Sequence, residues 1–114
     1  MTHVELLECI LDSLKNPVLF ADTGHITRYM NKAAAAHYSE GYDLIGRSLF
    51  DCHNEVSGKI MVDCLAAFQA GTEEERMITD NEKYRIYMRA VRDGEGRVIG
   101  YYERYEPPVK GRDE

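Results

Sequence analysis

The sequence has no apolar run approaching the roughly 18 residues that a membrane span requires. Its first residues lack the basic-then-apolar pattern of a secretion signal. Both absences point to a cytoplasmic protein without a membrane partner. Basic side chains are in the minority: 14 Lys and Arg face 20 Asp and Glu, for a formal net charge of -6. Nucleic acid needs a phosphate-neutralising surface, so it is not an expected partner. Cysteine is sparse, at Cys9, Cys52 and Cys64. An odd count without a secretion signal reads as free thiols rather than a disulfide framework. No internal repeat or low-complexity linker interrupts the 114 residues, a length that builds one domain around one core. The 44% hydrophobic and 30% charged residues give that core the balance of a soluble globular protein.

Thr2-His3-Val4-Glu5 has the spacing of a capping box. Val4, Leu7, Leu11 and Leu14 then recur at helical spacing, with Leu6 and Ile10 widening the stripe. This predicts a first helix that ends near Lys15, because Asn16 precedes a proline. Residues 17–21 read as a strand, Asp22-Thr23-Gly24 as a turn, and residues 25–30 as the second strand of a hairpin. Asn31 caps an alanine-rich helix over 32–38, which Gly41 closes. A longer helix carries Ile60, Met61, Cys64, Leu65 and Phe68 on one face and ends at Gly71. Three strands follow, over 74–79, 84–91 and 98–105. In the middle one Tyr84, Ile86, Met88 and Ala90 share a face. Asp93-Gly94-Glu95-Gly96 supplies the turn into the last. Strands at both ends of a helical middle predict an α+β fold, a five-stranded antiparallel sheet with helices on one face. Between such a sheet and its long helix lies a common place for a small ligand.

Several stretches, taken in order, resemble a PAS domain. They are Pro17-Val18-Leu19-Phe20-Ala21-Asp22 with Gly24, Tyr29-Met30-Asn31-Lys32-Ala33-Ala34, Leu44-Ile45-Gly46-Arg47-Ser48, and Ala90-Val91-Arg92-Asp93 through Gly96 with Ile99-Gly100. The likeness is to a PAS subgroup in which the Gly-Arg turn precedes a Cys-His pair, here Cys52-His53, and a helix ending in Phe-x-x-Gly, here Phe68 to Gly71. It implies a sensor domain over residues 1–106, with an N-terminal capping helix (1–15) on a core (16–106) and a flexible tail (107–114). It also implies a signal-transduction role, through a ligand or cofactor held between sheet and helix, or through a homodimer or a signalling protein partner. With no output domain attached, the signal is expected to pass through that partner or the chain's own dimer.

The sharpest version is haem iron held by His53, since a neutral imidazole is a good iron ligand. Cys52 is the redox-dependent alternative, and Met88 or Met77 would stand opposite. Covalent attachment is excluded, because the sequence has no Cys-x-x-Cys-His. Met61 falls where, by the resemblance, oxygen-sensing haem PAS proteins carry their proximal histidine. Neighbours on a backbone diverge, so of Cys52 and His53 one is expected to face inward and the other outward. The alternative leaves the pair structural, His53 capping or hydrogen-bonding the start of the long helix and Cys52 filling a small core gap. Tyr84 and Tyr102 are candidates to orient a polar ligand from the last two strands. Cys9 and Cys64 read as packing. His3, His25 and His37 read as solvated or capping. Arg85, Arg89 and Arg92 with Glu103 and Arg104 read as a solvated face with cross-strand pairs. Asp51 beside the Cys-His pair does not make a catalytic triad, so no enzyme is expected.

Overall fold

The computed structural model describes residues 1–109, apart from the side chain of Cys52. Helix α1 spans His3–Asp12, two strands follow as β1 (Val18–Asp22) and β2 (Thr27–Met30), and then comes helix α2 (Lys32–His37). One-turn 3-10 helices at Gly41–Leu44 and Leu49–Cys52 lead into α3 (Glu55–Ala70). Strands β3 (Glu75–Asp80), β4 (Arg85–Arg92) and β5 (Val98–Glu106) complete the chain. The expected tail from 107 onward falls mostly on residues 110–114, which lie outside the described residues.

The five strands form one antiparallel sheet in the order β2-β1-β5-β4-β3. Its first and last strands in sequence pair at the centre, with Leu19 opposite Glu103 and Ala21 opposite Tyr101. The core lies between this sheet and α3. Met61, Cys64, Leu65 and Phe68 descend from the helix onto Leu19, Ala21, Met88 and Tyr101. Each such large apolar side chain removed from water contributes about 1.5–3 kcal/mol. Asn54 caps α3, accepting from the Ser57 backbone at 2.8 Å, and Gly71 ends it in the left-handed conformation (φ 77°). His53 therefore lies outside the helix and is not its cap.

Asn31 joins four segments from a fully buried position. Its Oδ1 accepts from the backbones of Val18 and Ala34, each at 2.9 Å, while Nδ2 donates to the carbonyls of Leu11 and Asn16. That single amide ties the end of α1, the chain break after it, β1 and the start of α2 together. The apolar stripe of α1 is otherwise uncovered: the helix has no buried residue, and Cys9, expected to pack, is exposed. Leu11 and Leu14 border the sheet face opposite α3, beside Val18, Phe20 and Tyr102. No helix among the described residues is long and apolar enough to cross a membrane.

Candidate functional site

The second strand begins later than its sequence suggests, because His25 takes a left-handed conformation (φ 63°) and turns the chain. From there Ile45–Leu49 runs antiparallel beside Ile26 and Thr27. Gly46 donates to Thr27, Thr27 to Arg47 and Leu49 to His25, at 2.8–3.0 Å. The Gly-Arg turn is thereby stitched to the hairpin, and the 3-10 turn that follows leads to His53, which lines the gap between α3 and the sheet. His25 itself is buried rather than solvated. Its Nδ1 meets the Tyr101 hydroxyl at 2.8 Å and its ring lies 4.7 Å from that of Phe50. Desolvation holds its pKa down, against the pull of the Asp22 charge.

His53 is half-buried, and its Nδ1 lies 2.7 Å from the Leu49 carbonyl. It lines a cavity of about 90 Å³ together with Ser57 and Met61 from α3, Ile78 from β3, and Glu103 and Tyr105 from β5. Glu103 is the unexpected member. It is 3% exposed and sits between Leu19 and Met88 in the sheet. Burial pushes its carboxyl pKa up, and the charge of the nearby His53 pulls the other way. The Tyr105 hydroxyl meets that of Tyr38 at 2.7 Å, and its ring lies tilted against Tyr84, centroids 5.0 Å apart.

The other expected site residues are dispersed. Met61 reaches the cavity. Met88 faces the helix side as its strand pattern predicts, but it is fully buried core, not cavity wall. Met77 points away, 46% exposed. Tyr84 precedes β4 and supports Tyr105 without lining the cavity. Tyr102 is a correction: it faces the opposite side of the sheet, beside Leu11, Leu14 and Phe20. Glu103 is its counterpart, a charge expected on the solvated face and found inside. The cause is a bulge in β5. From the turn, Arg92 pairs with Val98, but Val91 pairs with Gly100, so Ile99 is the extra residue. One inserted residue reverses which side chains face in. The side chain of Cys52 lies outside the described residues. Cys64 is core, its thiol pushed up to about 11 by burial. Of the charged hairpin side chains, Arg104 and Arg89 pair with Glu75, and Arg92 with Glu74, on exposed or half-exposed ground.

Residues 7–106 match the PAS domain family. The chain belongs to that family. No curated protein sequence matches it. Among solved structures, a C-terminal domain from Streptococcus mutans superposes with a TM-score of 0.76 at 20% identity, covering 91% of this chain and 84% of that one. The PAS domain of Bordetella pertussis BvgS follows at 0.72 and 15%, covering 96% and 89%. The Aer2 receptor of Vibrio cholerae, described as a dual PAS-heme oxygen sensor, reaches 0.58 at 16%, covering 81% and 93%. At these identities the likeness establishes the PAS fold alone.

The inner cavity of this PAS domain does not have the room for a haem. An imidazole oriented by a backbone carbonyl, as His53 is, has the support usual for a metal ligand. The cavity that His53 shares with Glu103, about 90 Å³, is far below the roughly 300–1,000 Å³ of pockets for larger ligands, while a more open hollow of about 330 Å³ lies on the other side of His53, beside Phe50, Gly58 and Val62. Met61 and Met88 are packed in the core between α3 and the sheet. For a metal ion held by the protein alone, no three His, Cys, Asp or Glu side chains converge among the described residues.

Proposed function

We propose that this PAS domain is a sensor and signal-transduction module, non-catalytic, that binds a small polar molecule in the cavity between the start of α3 and the sheet. The observation that carries the reading is Glu103. A carboxyl 3% exposed on a cavity wall is costly to bury unless something offsets it, and such groups mark functional sites. His53 connects the cavity to the rest of the chain. It stands between the 3-10 turn and the cap of α3, so a ligand that moves its ring moves the start of the long helix. A ligand shifts such an equilibrium only by its differential affinity for the two states.

The test is a fragment screen followed by backbone and methyl NMR. Ligands should shift Ile78, Met61 and His53 together, and Ser57→Phe, which fills the cavity, should abolish the shifts. Fragments that perturb only the outer sheet face would remove the cavity from consideration.

A second reading has its own observation. Val4, Leu6, Leu7 and Ile10 on α1 and Leu14 just after it are all 45% exposed or more, and Leu11 and Leu14 line an apolar groove of about 440 Å³ with Phe20, Tyr29 and Tyr102. A homodimer built on that face would cover them. Sedimentation of the wild type against Leu7→Glu checks it: a dimer lost in the variant supports the reading, and a wild-type monomer at high concentration rejects it.

A further inference from the structure

The inner cavity and the outer hollow meet at one side chain. Along α3 the helix itself divides them: Ser57, Ile60 and Met61 face the inner cavity, while Gly58, Lys59 and Val62 border the outer hollow from the opposite side of the same turns. At the start of the helix the divider is His53, which alone among the described residues lines both. We infer that the His53 ring is a gate: turned aside, it joins the two spaces into one site for a ligand with a hydroxyl-bearing head inside and a flat apolar body outside. The inference rests on the inner cavity being a ligand site, and gives that site its entrance and the length of its ligand.

His53 has the freedom to turn. It is a single extended residue (φ -121°, ψ 148°) between the 3-10 turn ending at Cys52 and the cap residue Asn54. Rotation about its side-chain bonds swings the ring without unwinding either neighbour. The closed position is held by donation from Nδ1 to the Leu49 carbonyl at 2.7 Å and by the attraction between a charged ring and Glu103. A ligand opens the gate only if its contacts in the open state outweigh these. Its affinity for the wild type is therefore reduced by the fraction of molecules that stand open.

The two spaces differ in chemistry, and so define the two ends of the ligand. The inner one, about 90 Å³, holds on the order of three waters at about 30 Å³ each. Ser57, Thr79, Glu103 and Tyr105 border it, groups that between them donate and accept hydrogen bonds, as a hydroxyl does. The outer one, about 330 Å³, lies beside Phe50, Val62 and Gly58, which adds no side chain to that wall. Phe50 is 41% exposed and Val62 48%, apolar surface that a flat aromatic body would cover. Such a body exceeds the inner cavity, so each space takes one part of the molecule.

The experiment is an NMR titration of the full chain with phenylbutanol, a phenyl ring on a straight four-carbon alcohol, and with propanol. The Val62 methyls report the outer hollow, the Ile78 methyls the inner cavity and the His53 ring the gate. Phenylbutanol should move all three together in the wild type, in a single binding event. His53→Ala removes the gate and should tighten that event by at least about ten-fold. His53→Phe keeps a ring without the Leu49 bond and should fall between the two, which preserves the test if the alanine disturbs the fold. Propanol, short enough for the inner cavity, should move Ile78 without Val62. Val62 and Ile78 titrating with different affinities, or phenylbutanol binding equally to the wild type and both variants, overturns the gate, while propanol at Ile78 still supports the cavity. An Ile78 silent to both alcohols in every variant overturns the gate, and the fragment screen then judges the cavity separately.

Discussion

The carbonyl oxygen of Leu49 and the Nδ1 of His53 lie 2.7 Å apart, across one turn of chain. A carbonyl only accepts, so Nδ1 carries the proton and the acceptor of the neutral ring is Nε2. The bond fixes the ring on the cavity wall that it shares with Glu103. It makes His53 a positioned group, not a loose side chain at a helix entrance.

That relationship predicts a reciprocal effect on Glu103. His53→Ala removes the charge that pulls the Glu103 pKa down, so the carboxyl should titrate at still higher pH, read by its carbon resonance. The variant should fold, losing about 1 kcal/mol for the missing hydrogen bond. A carboxyl titration indifferent to His53 would show that the two are not neighbours in solution.

Glu103 also sets a pH dependence of its own. Its pKa is raised on folding above the ordinary 4.5, so the folded state holds a proton that the unfolded chain gives up. The associated stability is fully present below about pH 4.5 and is lost as pH rises through the folded pKa. Denaturant unfolding at a series of pH values should therefore show Glu103→Gln gaining on the wild type as pH rises through that window. A constant gap across it would contradict the buried carboxyl.

His25 works in the opposite direction. Burial lowers its pKa below the ordinary 6.5. The stability it carries is full above about pH 6.5 and falls as pH drops through the folded pKa, because only the unfolded chain takes up the proton readily. Tyr101→Phe removes the partner of its Nδ1 and should cost about 1–3 kcal/mol, the penalty of leaving a buried polar atom unmatched. Chemical denaturation at neutral pH measures it, and a cost under about 0.5 kcal/mol would mean that water replaces the hydroxyl.

Gly100 is required by contact. A Cβ there would stand 2.2 Å from the Ala21 carbonyl and 2.7 Å from the Phe20 ring. The first neighbour is backbone and cannot swing aside, so Gly100→Ala should force β1 and β5 apart at a cost of at least about 1–3 kcal/mol. A thermal melt within a degree or two of the wild type would mean that the strands separate there without strain.

Asn31 offers the sharpest test of the fold. Asn31→Ala orphans the backbone of Val18 and the cap of α2 and frees the end of α1. It should cost at least about 2 kcal/mol, more than an isolated cap at roughly 1 kcal/mol. Amide exchange should rise first in α1, which Asn31 ties at Leu11. Loss of α2 protection alone would reduce Asn31 to a simple cap.

Much of this was legible from local pattern. Asn31 before an alanine run, Gly71 after an apolar stripe and Asp93–Gly96 between two alternating segments each specify an element through a cap or turn whose chemistry is contained in a few residues. The inward row Ile86, Met88 and Ala90 followed from the period of a strand. Of the candidate site, His53 and Met61 lie on segments with clear local signals, and the structure puts both on one cavity.

The rest turned on one residue of register. Counted back from a regular hairpin, Tyr102 stands opposite Met88 and faces the core, and Glu103 faces water. The bulge at Ile99 shifts the pairing so that Met88 meets Glu103. Tyr101 and Tyr105 go inward with Glu103 between them, and Tyr102 goes out beneath α1. A bulge has no strong local signature, because it depends on pairing across strands: just past it, Gly100 lies close against the Ala21 carbonyl of β1. Composition and periodicity thus determined which segments are strands and helices, since those depend on neighbours in the chain. Which face of β5 meets the core, and with it the charge inside the cavity, was decided only when three strands came together.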